Sequence, residues 1–451
     1  MNKNFMMTTK ITNSPIKSYA LETYGCQMNV ADSELVDGIL KDIGLKKTED
    51  LNNADAIFVN TCAIRENAEK KIHSRLGNFY KLKQEKPHLI IGVLGCMAQN
   101  LKNDLLKNKP YVDIILGPDS YRNLPKLMNR HMMEKDSIVD TKLSRYEVYE
   151  DLFPKRNEGI NAWVSIMRGC DKFCSFCIVP FTRGRERSRN VESIVTEVRK
   201  AVDQGFVEIT LLGQNVNSYK HENNSFAELL LAVSDINGVE RIRYTSPHPQ
   251  DINVELLEVM ASRKNICNYV HFPMQSGSND ILKRMNRTYT KEHFHYMADK
   301  IREIMPNCGL STDIIVGFPG ETDKDFEETL DLMNKIKFNS AFTFKYSPRP
   351  YTKAEQFTDQ VDESIKKKRL DELITLQKEH TLELNSKKID SIEHVLIEKE
   401  SKKSSNHWAG RTDSNEWVIF EKKSSNIKDI VPVEIVNATG VILHGKEMVG
   451  A

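Results

Sequence analysis

The sequence has no long apolar run. Its longest stretch of apolar residues and glycine, "LIIGVLGCMA" at 89–98, is about half a membrane span. Its opening, "MNKNFMMTTKITNSPIKSYA", lacks the apolar core of a secretory signal. These absences set aside a membrane protein and lead to the expectation of a cytoplasmic chain. Bulk charge is lacking as well. With 64 Lys+Arg against 63 Asp+Glu, there is no overall field to attract a polyanion, so any nucleic acid must be held by a local patch. No internal repeat of fixed period is found.

What is there is enough apolar residue, 39% of 451 positions, for two to four domains. There are also eight cysteines, which in a reducing compartment more often bind metal or do redox chemistry than form disulfides.

From residue 18, short apolar runs alternate with amphipathic stretches, the rhythm of a parallel sheet with crossover helices. "SYALETYG", "AIFVN", "LIIGVLG" and "DIILG", at 18–25, 56–60, 89–95 and 113–117, predict a small doubly wound domain. The polar stretch 130–160 reads as a linker. A second series, "AWVSIMRG", "FVEITLLG", "RIRYTS", "YVHFPM", "STDIIVGF" and "AFTFKYS", starts at 162, 206, 241, 269, 311 and 341 and predicts an open (β/α)6 barrel. Between its first two strands, Ile194, Val195, Val198 and Val202 share one helical face that ends at Gly205. A long charged helix, "DESIKKKRLDELITLQKEHTLELNSKK", closes this block. The last 60-odd residues carry five short strands separated by polar turns and predict a small closed β-barrel. The class is therefore α/β in three domains, the first Rossmann-like and doubly wound. The expected boundaries are 1–17 for a flexible N-terminus, 18–135, a linker at 136–155, 156–385, and 386–451.

Six of the cysteines fall into two trios. Cys170, Cys174 and Cys177, in C-x3-C-x2-C spacing, follow the first barrel strand in "SIMRGCDKFCSFCIVP". Loops after the strands build the active face of such barrels. Three thiolates on a four-iron cubane leave one iron free, and that iron can take the amino and carboxylate groups of S-adenosylmethionine (SAM). A zinc knuckle, or a structural cluster completed by a distant ligand, is the other reading of the same spacing. Cys26, Cys62 and Cys96 are spread along the chain, but each follows a predicted strand, and such strand ends share one edge of a parallel sheet. Ordinary buried thiols are the alternative for each singly. Cys267 and Cys308 have no such placement and are expected in the core.

"TYGCQMNVADSE", "NTCAIRENAE", "GVLGCMAQ", "RGCDKFCSFCIVPFTRGRERSR", "TSPHPQD", "QSGSNDILKRMNR" and "STDIIVGFPGET" together resemble the radical SAM methylthiotransferase family over nearly the whole chain from residue 18. The resemblance implies an N-terminal methylthiotransferase domain, a radical SAM barrel and a C-terminal TRAM domain. It also implies two [4Fe-4S] clusters, one held by Cys170, Cys174 and Cys177 and an auxiliary one held by Cys26, Cys62 and Cys96. One SAM would donate a methyl group to sulfur on the auxiliary cluster. A second would be cleaved to a 5′-deoxyadenosyl radical that takes hydrogen from C2 of an adenine. Within the family, "NTCAIRENAEKK" favours the enzymes that act on N6-dimethylallyladenosine at position 37 of tRNA. Enzymes acting on threonylcarbamoyladenosine or on a ribosomal protein aspartate are the alternatives. A different class altogether is a non-catalytic iron–sulfur electron carrier or RNA-binding sensor.

Resemblance and position at strand ends point to Gln214, Asn215, Ser246, His248, Gln275, Ser276 and Asp313 as SAM contacts. Gly317, with Pro319 and Gly320, would let backbone approach the adenosyl group. Each polar residue could equally cap the helix that follows. Arg183, Arg185, Arg187 and Arg189 in "FTRGRERSR" could bind tRNA phosphates, contact SAM or a substrate at the auxiliary cluster, or stay solvated. Arg411, with Lys402, Lys403, His407 and Trp408, is a local patch in a C-terminal domain that is otherwise balanced, ten Lys+Arg to ten Asp+Glu from residue 386. Glycine is expected where Tyr351 stands, and another residue at Lys353. The implied partners are such a tRNA, a low-potential donor such as flavodoxin or ferredoxin, and a sulfur or iron–sulfur carrier protein. The expected state is a monomer.

Overall fold

The computed structural model describes residues 16–62, 66–156 and 158–448. The expected flexible N-terminus lies outside these, apart from Ile16 and Lys17, as do Ala63, Ile64 and Arg65 of the "NTCAIRENAEKK" stretch.

The first domain is a six-stranded parallel sheet in the order β2-β1-β3-β4-β5-β6. Its strands are β1 Ser18–Tyr24, β2 Lys46–Lys47, β3 Ala56–Thr61, β4 Ile90–Gly95, β5 Ile114–Leu116 and β6 Ile138–Asp140. Strand alternation explains the continuous apolar runs: Ala56 and Phe58 pack into one core layer while Ile57 and Val59 pack into the other. A parallel strand covered on both faces must be apolar at every position. β6 lies within the stretch expected to be linker, and the helix before it, Leu124–Glu134, ends where that stretch begins. Tyr149, further along it, is buried in the same core. The helix buries Leu124, Leu127 and Met128, and β6 buries Ile138, in a stretch of polar composition.

The barrel consists of β7 Asn161–Ser165, β8 Glu208–Leu212, β9 Arg241–Tyr244, β10 Tyr269–His271, β11 Gly309–Val316 and β12 Ser340–Lys345. These form two parallel triplets, β9-β8-β7 and β10-β11-β12. Cys267 N donates to Ile242 O and joins the triplets, and β7 does not pair with β12, so the barrel is open on that side. The helix Val191–Asp203 is capped by Asn190, whose side chain accepts from Ser193 N, and it buries Ile194 and Val198 against the strands. Cys267 and Cys308 are buried, and desolvation pushes both thiols up to about 12.

Five strands close the last barrel in the order β13-β14-β15-β17-β16: β13 Ile392–Ser401, β14 Ser404–Arg411, β15 Trp417–Glu421, β16 Ile430–Ala438 and β17 Ile442–Glu447. The turn after β14 enters the (β/α)6 barrel at the N-terminal ends of its strands. There Arg243 donates to Thr412 O (2.8 Å) and Asp413 O (3.2 Å), and Asn268 Nδ2 donates to Asp413 Oδ2 (2.8 Å). The barrel floor is thus plugged, and the C-terminal strand ends are left for chemistry. Among the described residues no helix is long and apolar enough to cross a membrane.

Candidate active site

The first trio is assembled by sheet register. Tyr24 pairs with Thr61 and Thr61 with Gly95, so Cys26, Cys62 and Cys96 leave three adjacent strands at one edge. Cys62 N donates to Tyr24 O at 3.2 Å. Cys26 caps helix α1, Gln27–Asp42, and Cys96 opens helix α2, Cys96–Leu101. Burial pushes the Cys96 thiol up to about 11.

The second trio follows β7 through Met167–Arg168. Gly169 turns the chain at φ +80°, and a Cβ there would collide with the Arg185 carbonyl, so this turn needs glycine. Cys170 N donates to Gly184 O (3.1 Å) and Cys177 N to Cys174 O (3.0 Å). Burial pushes Cys170 up to about 11 and Cys177 up to about 12. Left alone these thiols keep their protons. A metal that replaces the protons turns each into a ligand thiolate. Arg287 Nη1 donates to Cys174 Sγ at 3.2 Å, a charge-assisted bond that suits a thiolate. Among the described residues no group of His, Cys, Asp or Glu converges on a single metal ion. Thiolates of a cubane bind separate irons and need no such point. In donor chemistry, each trio offers the three thiols that such a cluster takes.

The trios are joined by helix α3, Val179–Arg183. Arg183 Nε donates to Cys96 Sγ at 3.2 Å, and its Nη2 to Asp32 Oδ2 at 2.8 Å. Asp32 Oδ1 accepts from Arg168 Nη2 at 2.6 Å. Burial opposes ionisation of Asp32, but Arg168 and Arg183 outweigh it and hold the carboxyl below its usual range.

This burial corrects the arginine expectation. Arg183, Arg187 and Arg189 are 3%, 8% and 4% exposed and pair with Asp32, Asp119 and Glu197. They tie domains and elements together and are not presented to phosphates. Only Arg185 of the four is exposed, beside Asp171 and over the Phe173 ring. Arg411 is likewise engaged with Glu398 and Glu208 at the plug. The turn carrying Lys402 and Lys403 lies at the other end of β14 and is exposed. His407 is half-buried. Trp408 packs partly into the β-barrel core, under Lys422.

Several expected SAM contacts gather around the Cys170 turn. Gln214 Oε1 accepts from Gly169 N (2.6 Å). Asn215 Nδ2 donates to Asp251 Oδ2 (2.9 Å) and Glu186 Oε1 (3.2 Å), while its buried Oδ1 has no protein partner. Ser246 is exposed at φ +58°, and its carbonyl accepts from Val216 N. His248 is buried against Tyr289, and its Nδ1 accepts from Gln250 N. Gln275, at φ +65°, is bonded through its backbone to Asp313, whose carboxylate meets His271 Nε2 at 3.2 Å. Two expectations change. Ser276 is fully buried and turned toward Thr329, because it anchors the following turn to a helix. Gly317 is closely approached by Lys366, with which a Cβ would collide, so its space serves the closing helix Glu363–Ser386. Glu186, Asp251, Lys172, Arg287, Asp32 and Arg168 were not singled out from sequence. All six stand inside the quoted motifs but have no signal apart from them. Tyr351 sits at φ +71°, which costs an L side chain about 1–2 kcal/mol and explains why glycine was expected.

Burial depresses His248 from 6.5 to about 2. The unfolded chain therefore takes up a proton below pH 6.5 that the folded chain refuses. Relative to His248→Gln, the wild-type apo chain should lose up to about 1.4 kcal/mol of stability per pH unit as pH falls through the range below 6.5. Urea titrations at stepped pH would show this, and a constant difference would contradict it.

Comparisons with known proteins agree in three blocks. A family model described as "Uncharacterized protein family UPF0004" matches residues 18–117, the radical SAM superfamily matches 164–333, and the TRAM domain matches 387–446. Solved radical SAM enzymes share the fold: TsrM from Kitasatospora setae at TM-score 0.57 and 14% identity, covering 75% of each chain, and OxsB at 0.56 and 14%, covering 81% of this chain and 56% of that one. This is a radical SAM enzyme, a class that uses SAM and a [4Fe-4S] cluster. Among curated relatives, the tRNA-2-methylthio-N(6)-dimethylallyladenosine synthases of Christiangramia forsetii (44% identical, 94% of this chain and 93% of that one) and Chloroherpeton thalassium (46%, 95% and 95%) align almost end to end. That of Bacteroides fragilis does so as well, at 46% identity and 96% of each. The chain belongs to the family of tRNA-2-methylthio-N(6)-dimethylallyladenosine synthases, the MiaB family of tRNA methylthiotransferases.

Proposed function

We propose that this enzyme adds a methylthio group to C2 of N6-dimethylallyladenosine in tRNA, using one SAM as methyl donor and another as radical source. The observation that carries the reading is the meeting of two cysteine trios at the C-terminal ends of two parallel sheets, bridged by Arg183 and Gly184. Cys170, Cys174 and Cys177 would hold the cluster that reduces SAM to a 5′-deoxyadenosyl radical, and Cys26, Cys62 and Cys96 the auxiliary cluster that carries sulfur.

The chain's own residues then bind and orient. Arg287 steadies the Cys174 sulfur, and Gln214 holds the turn before Cys170. Glu186 and the unpartnered Asn215 Oδ1 offer acceptors to the SAM ammonium. Ser246, His248, Gln275 and Asp313 line the remaining strand ends. Exposed Arg185 and the Lys402–Lys403 turn are the candidate phosphate contacts, and a bond to phosphate there would be salt-sensitive. A low-potential flavodoxin or ferredoxin supplies electrons and a sulfur or iron–sulfur carrier renews the enzyme, since SAM cleavage consumes the first and product formation the second.

After anaerobic reconstitution the chain should carry about eight iron and eight sulfide. With dithionite and SAM it should form 5′-deoxyadenosine, and tRNA bearing N6-dimethylallyladenosine should gain a methylthio group detectable by nucleoside mass spectrometry. No 5′-deoxyadenosine would leave an iron–sulfur carrier or sensor. Cleavage without product on this tRNA, but with product on threonylcarbamoyladenosine or a ribosomal protein, would move the substrate to a relative's.

A further inference from the structure

We propose that Asp32 is a positioning residue of this reaction: it clamps both flanks of the Cys170–Cys177 loop to the helix that begins beside Cys26, and so sets how the two cysteine trios face each other. The inference rests on the two-cluster reading above.

Asp32 lies on α1 in the first domain and is completely buried. One carboxylate oxygen takes Arg168, just before Cys170, and the other takes Arg183, just after the loop, with Tyr121 Oη donating to it at 3.3 Å. Arg183 in turn donates to Cys96, and the adjacent Gly184 carbonyl accepts from Cys170 N. A short continuous path therefore connects Cys26, through its helix, to Asp32 and Arg183, and from there to Cys96 and Cys170. Each guanidinium reaches the carboxylate through one nitrogen and has a second anchor, Arg183 on Cys96 and Arg168 over the Tyr149 ring, which leaves little freedom of tilt.

Stability alone does not call for this arrangement. A buried ion triad costs so much desolvation that apolar residues of the same volume often serve a fold as well. What ions provide and apolar contacts do not is direction. The radical formed at one trio must act on a carbon held next to sulfur at the other, and misplacement by about 1 Å can cost a hundredfold.

The test compares the reconstituted wild type with Asp32→Asn and with the triple variant Asp32→Leu, Arg168→Met, Arg183→Met, which removes all three buried charges together. Iron content, the ratio of 5′-deoxyadenosine to methylthiolated nucleoside, and the magnetic interaction between the two dithionite-reduced clusters in electron paramagnetic resonance are measured on each. The clamp predicts variants that keep about eight irons, release at least about tenfold more 5′-deoxyadenosine per product, and show an altered magnetic interaction. Full iron with the wild-type ratio and interaction would overturn it. Loss of the Cys26, Cys62 and Cys96 iron, or failure of both variants to fold, would overturn it too, since Asp32 would then serve assembly. A wild type with about four irons would remove the two-cluster reading first, and is seen before any substitution is made.

Discussion

Replacing Cys62 with alanine abolishes methylthiolated product while 5′-deoxyadenosine still forms on adding SAM and dithionite. Cys62 closes β3 in the first domain and is bonded to β1. The loop expected to serve SAM hangs from β7 and is held by Gly184, Gln214 and Arg287. The two sites share Arg183 but no cysteine, so removing one thiolate from the first trio leaves the second trio's ligands complete. Iron should fall from about eight toward about four per chain. Alanine adds no bulk and keeps the strand pairing, which runs through backbone, so the fold should stand. Product from a Cys62→Ala chain would remove that thiol from the sulfur-carrying site. Loss of both activities would mean that the two sites are not chemically separable.

Why Cys26, Cys62 and Cys96 could be grouped from sequence at all is a matter of local physics. Cys62 and Cys96 stand just after largely apolar strands buried on both faces, Cys26 follows the half-buried β1, and parallel strands place their ends on one edge. The Asp32 clamp had no such signature. Its partners Arg168 and Arg183 lie in another domain, and an ion pair between distant residues depends on how two independently packed bodies dock. The same blindness left Arg187 and Arg189 as candidate ligand contacts, because an arginine's sequence neighbours do not reveal that Asp119 waits across the domain interface or that Glu197 turns toward it from the following helix. β6 was missed because a three-residue edge strand, Ile138–Asp140, carries too short a pattern to read.

Arg243→Leu should cost about 3–5 kcal/mol, measured by chemical denaturation, and should loosen the C-terminal barrel from the rest of the molecule. Arg243 is buried on β9, with Nε on Glu208 Oε2 at 2.9 Å and its other nitrogens on the Thr412 and Asp413 carbonyls. Leucine fills part of the volume but leaves Glu208 fully buried with Arg411, at 3.3 Å, as its remaining ion-pair partner, and takes the donor from Asp413 O, while Thr412 O keeps the bond from Asn415 N. An unpaired buried charge and unmade hydrogen bonds are the expensive part, so removing Glu208 as well should restore much of the loss. Arg243→Leu with Glu208→Leu is therefore expected to be more stable than Arg243→Leu alone, a sign opposite to additivity. A single substitution costing under about 1 kcal/mol would show that the 412–416 turn is held by shape and not by these ions. The floor of the barrel lies at the strand ends opposite the two cysteine trios, so SAM cleavage per correctly folded chain should change little, which separates a loss of docking from a loss of chemistry.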